Sequence, residues 1–253
     1  MTATLPLCPC GQPVDPDLLE IRHLLPSLSP DLCTRCYDAA SHAEDAAHRL
    51  AVEAAEQRHR LARLDAVIPP KILATDLSHP TFNQSLFLAC QAWTPESGKW
   101  LVIHGPPGAC KTRIVGTVAK RLILAGHHVT WATAGKLQET VEELNSFAKS
   151  DESLRSAARA RLRVWKEAGI LILDDLGKNT WTPSLESKLF ELIDHRETHY
   201  LPTIITSNRK LLHLVDDMSH DRGGPIIGRI QEAARGWTFE AKPIAARNVQ
   251  AKP

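Results

Sequence analysis

No apolar run in this chain approaches the length of a membrane-spanning helix; the longest, such as Ile170 to Leu173, suffice for one strand. Met1 to Leu7 lacks the charged start and long apolar stretch of a secretory leader, so a cytoplasmic protein with no membrane partner is expected. An excess of charge of one sign is missing too. The formal net charge of +1 excludes a global attraction for nucleic acid, so any such contact must come from local patches. No internal repeat or low-complexity tract occurs, which excludes a repeat array. What remains is 253 residues, 43% of them hydrophobic: room for one packed domain plus a small appendage.

Four of the six cysteines lie near the N-terminus. Cys8 and Cys10 form one close pair, Cys33 and Cys36 another, with Pro13, Pro16, Pro26 and Pro30 between them. Those prolines prevent one long helix, and the stretch is too small to fold on an apolar core alone. In a reducing compartment such pairs point to metal rather than disulfides, and two thiolate pairs across a loop suit tetrahedral Zn²⁺. The expected module is a zinc ribbon over residues 1–37 ligated by Cys8, Cys10, Cys33 and Cys36, with His23 a surface residue. The C-x-C spacing of the first pair departs slightly from the usual C-x₂-C.

Residues 38–67 are rich in alanine and charge. Ala47, Leu50, Ala54, Gln57, Leu61 and Leu64 recur three and four apart, which predicts an amphipathic linker helix resting on its own protein or on a partner. Ile68-Pro69-Pro70 ends it and opens a second domain, 68–253.

That domain alternates strand and helix patterns, the mark of a parallel sheet with covered faces. Strands are predicted at 101–103, 129–132, 170–173 and 203–206, and helices at 113–124, 136–147, 153–166 and 183–199. Between the first strand and helix lies Gly105-Pro106-Pro107-Gly108-Ala109-Cys110-Lys111-Thr112. Strand, Gly/Pro-rich loop and helix is the setting of a phosphate-binding loop, in which backbone N–H groups and a helix N-terminus face the phosphates. Lys111 supplies the point charge and Thr112 a hydroxyl for Mg²⁺. One position departs from G-x-x-x-x-G-K-[ST]: cysteine, Cys110, stands where glycine precedes the lysine.

The apolar strand ending in Asp174-Asp175 has the form of a Walker B element, with Asp174 in the Mg²⁺ shell and Asp175 orienting or deprotonating the attacking water. Asn208 ends another strand at the edge where open α/β sheets bind ligands. Arg229 and Arg247 are candidates for stabilising phosphate charge in a neighbouring subunit. Arg155, Arg159, Arg161, Arg163 and Lys166 form a basic helix with no acidic residue inside the stretch 153–166. It is either a phosphate-contacting surface or a solvated helix face, and Trp165 within it either stacks on a base or packs in the core.

Together these residues resemble the DnaC/DnaI/IstB group of AAA+ ATPases, over most of the chain from Ile68-Pro69-Pro70-Lys71 to about Arg247. The most specific stretches are Leu171 to Gly177 (LILDDLG), Leu189 to Arg196 (LFELIDHR) and Thr203 to Asn208 (TIITSN). The resemblance implies an α/β AAA+ P-loop domain without a full helical lid. It also implies sensor 1 at Asn208, an arginine finger at Arg229 and a sensor 2 arginine at Arg247. With the cysteine ribbon it resembles DnaI-type helicase loaders, which implies ATP, Mg²⁺ and Zn²⁺ as cofactors. A replicative DNA helicase, single-stranded DNA and further copies of the chain in an ATP-dependent homo-oligomer are the implied partners. An IstB-like transposition regulator and a non-hydrolysing, nucleotide-gated adaptor are the alternatives.

Overall fold

The computed structural model describes residues 6–14, 32–79, 82–146 and 151–243. Contacts divide the chain into two units, Met1–His59 and Arg60–Pro253.

In the first unit a tight turn closes on itself: the Cys8 N–H donates to the Gln12 carbonyl at 2.8 Å, and Leu7 bridges Pro13. Helix α1 (Thr34–Val67) starts directly after Cys33, ahead of the predicted start at residue 38, so Cys36 sits in its first turn. Leu64 is its one buried residue, while Leu50, Val52 and Leu61 of the predicted face and its border are exposed. His23 lies outside the described residues.

The second unit continues through the short α2 (Pro70–Leu73) and α3 (Gln84–Gln91). Then follow β1 (Leu101–His104), α4 (Lys111–Leu124), β2 (Val129–Thr133), α5 (Ala134–Leu144) and α6 (Glu152–Glu167). After these come β3 (Ile170–Leu176), α7 (Pro183–Thr198), β4 (Thr203–Ser207), α8 (Leu211–Leu214), α9 (Gly223–Ala233) and β5 (Thr238–Glu240). The predicted helix 136–147 begins and ends earlier, because Thr133 caps it by accepting from the Lys136 N–H at 3.1 Å.

All five strands pair in parallel, in the order β2-β3-β4-β1-β5. The near-continuous apolar strands follow from burial on both faces. Leu101, Ile103, Ile172 and Ile204 point into the layer shared with Ile114, Val115 and Val118 of α4. Val102, Leu171, Leu173 and Ile205 point the other way, against Leu189, Leu192 and Ile193 of α7 and Ile226, Ile227 and Ile230 of α9. The chain leaves β1 for the far edge at β2 and returns through β3 and β4. The C-terminal ends of β1, β3 and β4 therefore lie side by side, opening the crevice where such sheets take ligands.

One buried cation ties this layer together. Arg196 on α7 is fully enclosed and donates to the carbonyls of Trp165 (3.0 Å), Lys166 (3.2 Å), Ala168 (2.8 Å) and Pro202 (2.7 Å), and to Thr203 Oγ1 (2.9 Å). It satisfies the orphan carbonyls at the end of α6 and pins them to the start of β4. Among the described residues no carboxylate pairs with it, and burial lowers its pKa to about 9, which still leaves it charged at neutral pH. Trp165 is buried core rather than a stacking surface. Arg196→Met keeps the volume but strands those acceptors, so unfolding free energy from urea titration should fall by about 3 kcal/mol. A loss under about 1 kcal/mol would contradict this role.

Candidate nucleotide-binding site and metal centre

At the crevice the loop after β1 folds under tight backbone constraints. Gly105 has φ +148°, and a Cβ there would meet the Ala241 carbonyl oxygen at 2.1 Å, so no other residue fits. Cys110 has φ 61° and ψ 14°, the left-handed region that favours glycine, immediately before α4. The cysteine at this position thus adopts the conformation that suits glycine, at a cost on the order of 1 kcal/mol in local strain.

Lys111 is buried and its ammonium uses all three donors: to the Gly105 carbonyl (2.8 Å), the Pro106 carbonyl (2.9 Å) and Asn208 Oδ1 (2.8 Å). Burial lowers its pKa from the usual lysine value, and the carboxylates of Asp175 and Asp174 partly offset that. Asn208 in turn donates from Nδ2 to Asp175 Oδ1 at 3.1 Å.

The pairing of β3 with β4 slips between Leu173 and Leu176, and Asp175 takes φ 62°. This irregularity sends the two neighbouring carboxylates to different places. Asp174 is buried and accepts from Thr112 Oγ1 (3.0 Å) and Thr206 Oγ1 (2.5 Å) through one oxygen, Oδ1. Asp175 is half-buried, with Lys178 Nζ 3.9 Å from Oδ2. Burial raises the Asp174 pKa, with the Asp175 charge adding to it and the two threonine hydroxyls opposing. Thr206, silent in the sequence pattern, also receives the Asp175 N–H at 2.9 Å.

Lys71, Pro107, Gly108, Cys110, Lys111, Thr112, Arg113, Asp175, Lys178 and Asn208 are among the residues lining a cavity of about 550 Å³. Asp174 is not in that lining and reaches it through Thr112. Lysine, backbone and amide donors on one side, with Asp175 and the Thr112–Asp174 pair on the other, fit a nucleotide's phosphates with a divalent cation. Lys71, Arg113 and Lys178 are cations at this cavity that the motifs alone did not single out.

Two other candidates lie elsewhere. Arg229 is absent from that cavity's lining; it pairs with Asp194 (2.8 Å) and Glu197 (3.1 Å) on α7, its guanidinium 5.4 Å from the Phe190 ring centroid. Arg247 lies outside the described residues.

The basic helix is less free than its own sequence suggests. Glu152, just before the stretch, pairs with Arg155 (2.7 Å) and Arg159 (3.0 Å), and Glu143 of α5 pairs with Arg161.

In the first unit the Sγ atoms of Cys8, Cys10, Cys33 and Cys36 all lie within 4.8 Å of one another. That spacing fits four thiolates converging on one ion at Zn–S distances near 2.3 Å. A hydrogen bond from the Cys10 backbone pulls the Cys8 thiol down to about 6, while the Cys10 side chain holds Cys36 up at about 12. The Cys8 thiolate is thus ready at neutral pH, while Cys36 holds a proton that a metal would displace.

The model of the IstB-like ATP binding proteins matches residues 74–221, more than half of the chain. The chain belongs to this family. It is 30% identical over 109 residues to an insertion sequence IS5376 ATP-binding protein of Geobacillus stearothermophilus, covering 43% of this chain and 40% of that one. It is 28% identical over 122 residues to an insertion-sequence ATP-binding protein of Mycobacterium tuberculosis, covering 48% and 45%. The chain thus spans less than half the length of these curated relatives. Among solved structures, that of DnaI superposes with a TM-score of 0.53 at 21% identity, covering 71% of this chain and 94% of DnaI, a likeness of fold. The five-stranded parallel sheet, covered by helices on both faces, is the α/β fold shared with that structure. No helix among the described residues is long and apolar enough to cross a membrane.

Replacing Cys110 by glycine relieves the left-handed strain, so Cys110→Gly should raise the melting temperature by about 2–4 °C. An unchanged or lower value in differential scanning fluorimetry would contradict the strain. Purified protein should carry one zinc per chain by elemental analysis, and Cys33→Ser should lose it; a zinc-free parent protein would refute the metal centre.

Proposed function

We propose that this IstB-like protein is an ATP-dependent loader that delivers a replicative DNA helicase to single-stranded DNA, with modest ATPase activity stimulated by its partners. The observation that carries the reading is one chain holding both a coupled lysine–asparagine–aspartate nucleotide site and a four-cysteine cluster suited to a separate grip on protein. In this reading residues 1–37 form a zinc-bound helicase contact, 38–67 a helical linker and 68–253 the ATPase.

Phosphate oxygens would take over Lys111 donors now given to the loop carbonyls and Asn208. Thr112 and Asp174 would hold Mg²⁺, which neutralises charge on the β- and γ-phosphates. Asp175, with one oxygen steadied by Asn208, would orient and accept a proton from the attacking water. Because Asn208 touches both Lys111 and Asp175, losing the γ-phosphate would alter both contacts, a direct route from hydrolysis to conformation. Arg229, held on α7 by Asp194 and Glu197, would serve a neighbouring subunit, as would Arg247. Asp174 sits above the ordinary carboxylate range, so acid competes with its cation sooner than at an exposed aspartate; Mg²⁺-dependent binding should weaken as pH falls through that raised value.

The insertion-sequence relatives favour a second reading, a transposition regulator with the same ATPase but a transposase and duplex DNA as partners. Native mass spectrometry of the full chain with its host's replicative helicase, with and without ATP, separates the two. The loader reading predicts a defined complex lost in Cys33→Ser. No complex in any nucleotide state, with ATP-dependent assembly on duplex DNA instead, moves the assignment to transposition. Lys111→Ala should weaken ATP binding at least about tenfold in either case. Turnover that rises sharply only in Cys110→Gly would instead mark a nucleotide-gated adaptor.

A further inference from the structure

A second cavity, of about 520 Å³, opens between the C-terminal half of α6 and the outer face of α7. Arg159, Arg163 and Lys166 recur four and three residues apart, so they share one face of α6. They meet Lys188 and His195 from α7, while Glu167 is the single carboxylate in the lining. Four cations against one anion leave the cavity positive. Arg159 and Lys188 each also pair with a glutamate beside it, Glu152 and Glu191. Among the described residues Arg163 and Lys166 have no acidic partner at ion-pair distance, and Arg163 is exposed.

Past His195, the end of α7 carries further rings. His195 stacks on His199 with ring centroids 4.2 Å apart and planes 29° apart. Tyr200 follows, 78% exposed and at φ 52°, just past the end of α7. Glycine or asparagine is the usual residue at that left-handed position. A tyrosine there costs backbone strain and buries almost nothing in return. A basic groove beside exposed rings is the arrangement that binds single-stranded nucleic acid, with cations on phosphates and rings on bases.

We propose that the α6–α7 groove is the single-strand binding surface, with Arg163, Lys166 and Lys188 on backbone phosphates and Tyr200 stacking on a base. The assignment rests on the single-stranded DNA reading above and locates it. It separates Arg163 and Lys166, which bind, from Arg155 and Arg161, which are engaged by Glu152 and Glu143 and hold α6 in place.

The test is fluorescence anisotropy of a labelled oligo-dT across a salt series, with the full chain and an ATP analogue. The triple variant Arg163→Ala/Lys166→Ala/Lys188→Ala should lose at least about tenfold in affinity, and its log–log salt slope should shrink by about 2, for three phosphates released from a single strand. Tyr200→Gly should bind about fivefold or more weakly while melting about 2–4 °C higher, a combination that general destabilisation does not produce. Binding of the ATP analogue should be unchanged in both variants. A parent protein that binds oligo-dT while the triple variant binds it equally well overturns the groove alone. A parent protein that does not bind oligo-dT in any nucleotide state overturns the single-stranded DNA reading itself, and the groove with it.

Discussion

The structure turns on a single buried ammonium. Lys111 lies at the first turn of α4, yet its three hydrogen bonds reach the loop after β1 and the end of β4. Asn208 extends that contact to Asp175 on β3, and Thr112 and Thr206 both donate to Asp174 beside it. Four elements are locked together at the C-terminal edge of the sheet by one polar network. In a site of reduced solvent access such bonds are individually stronger, and leaving one partner unsatisfied costs more. A ligand that offers better acceptors to Lys111 must therefore disturb the whole edge. That is the physical basis for expecting nucleotide state to be felt at a distance.

The strain in the site has a consistent direction. Cys110 and Asp175 both adopt left-handed backbone, one under the phosphate loop and one at the irregularity of β3. Aspartate tolerates that region better than cysteine does. At Asp175 the unusual geometry separates two adjacent carboxylates, leaving Asp174 buried and Asp175 half-buried. At Cys110 it is the conformation that suits glycine. Strain held at a binding site and carried by a well-packed sheet is a common arrangement for pre-organised chemistry.

Much of this was legible beforehand. The apolar strands β1, β3 and β4, the loop from Gly105 to Thr112 and the pair Asp174-Asp175 all announce themselves by pattern. Short elements did not: β5 has three residues and little burial, and α9 carries Gly223, Gly224 and Gly228, which weaken any helical signal. Arg196 stands inside a stretch singled out for its resemblance. Nothing in a sequence says that such an arginine is enclosed and bonded to four carbonyls, because its partners come from α6 and from the turn before β4. Thr206 was hidden for the same reason, its partner lying on another strand. The basic helix shows the opposite error. Its charge was plain, but the neutralising Glu143 and Glu152 lie outside the stretch, one on α5 and one at the helix start.

The central claim is that the crevice beside Lys111 binds a nucleotide together with a divalent cation. Isothermal titration of the full chain with a non-hydrolysable ATP analogue, with and without Mg²⁺, addresses it most directly. One site per chain is predicted, tightened by Mg²⁺ at least about tenfold through the paired oxygens of Thr112 and Asp174. Binding with the same affinity in both conditions, or no binding in either, would contradict the account.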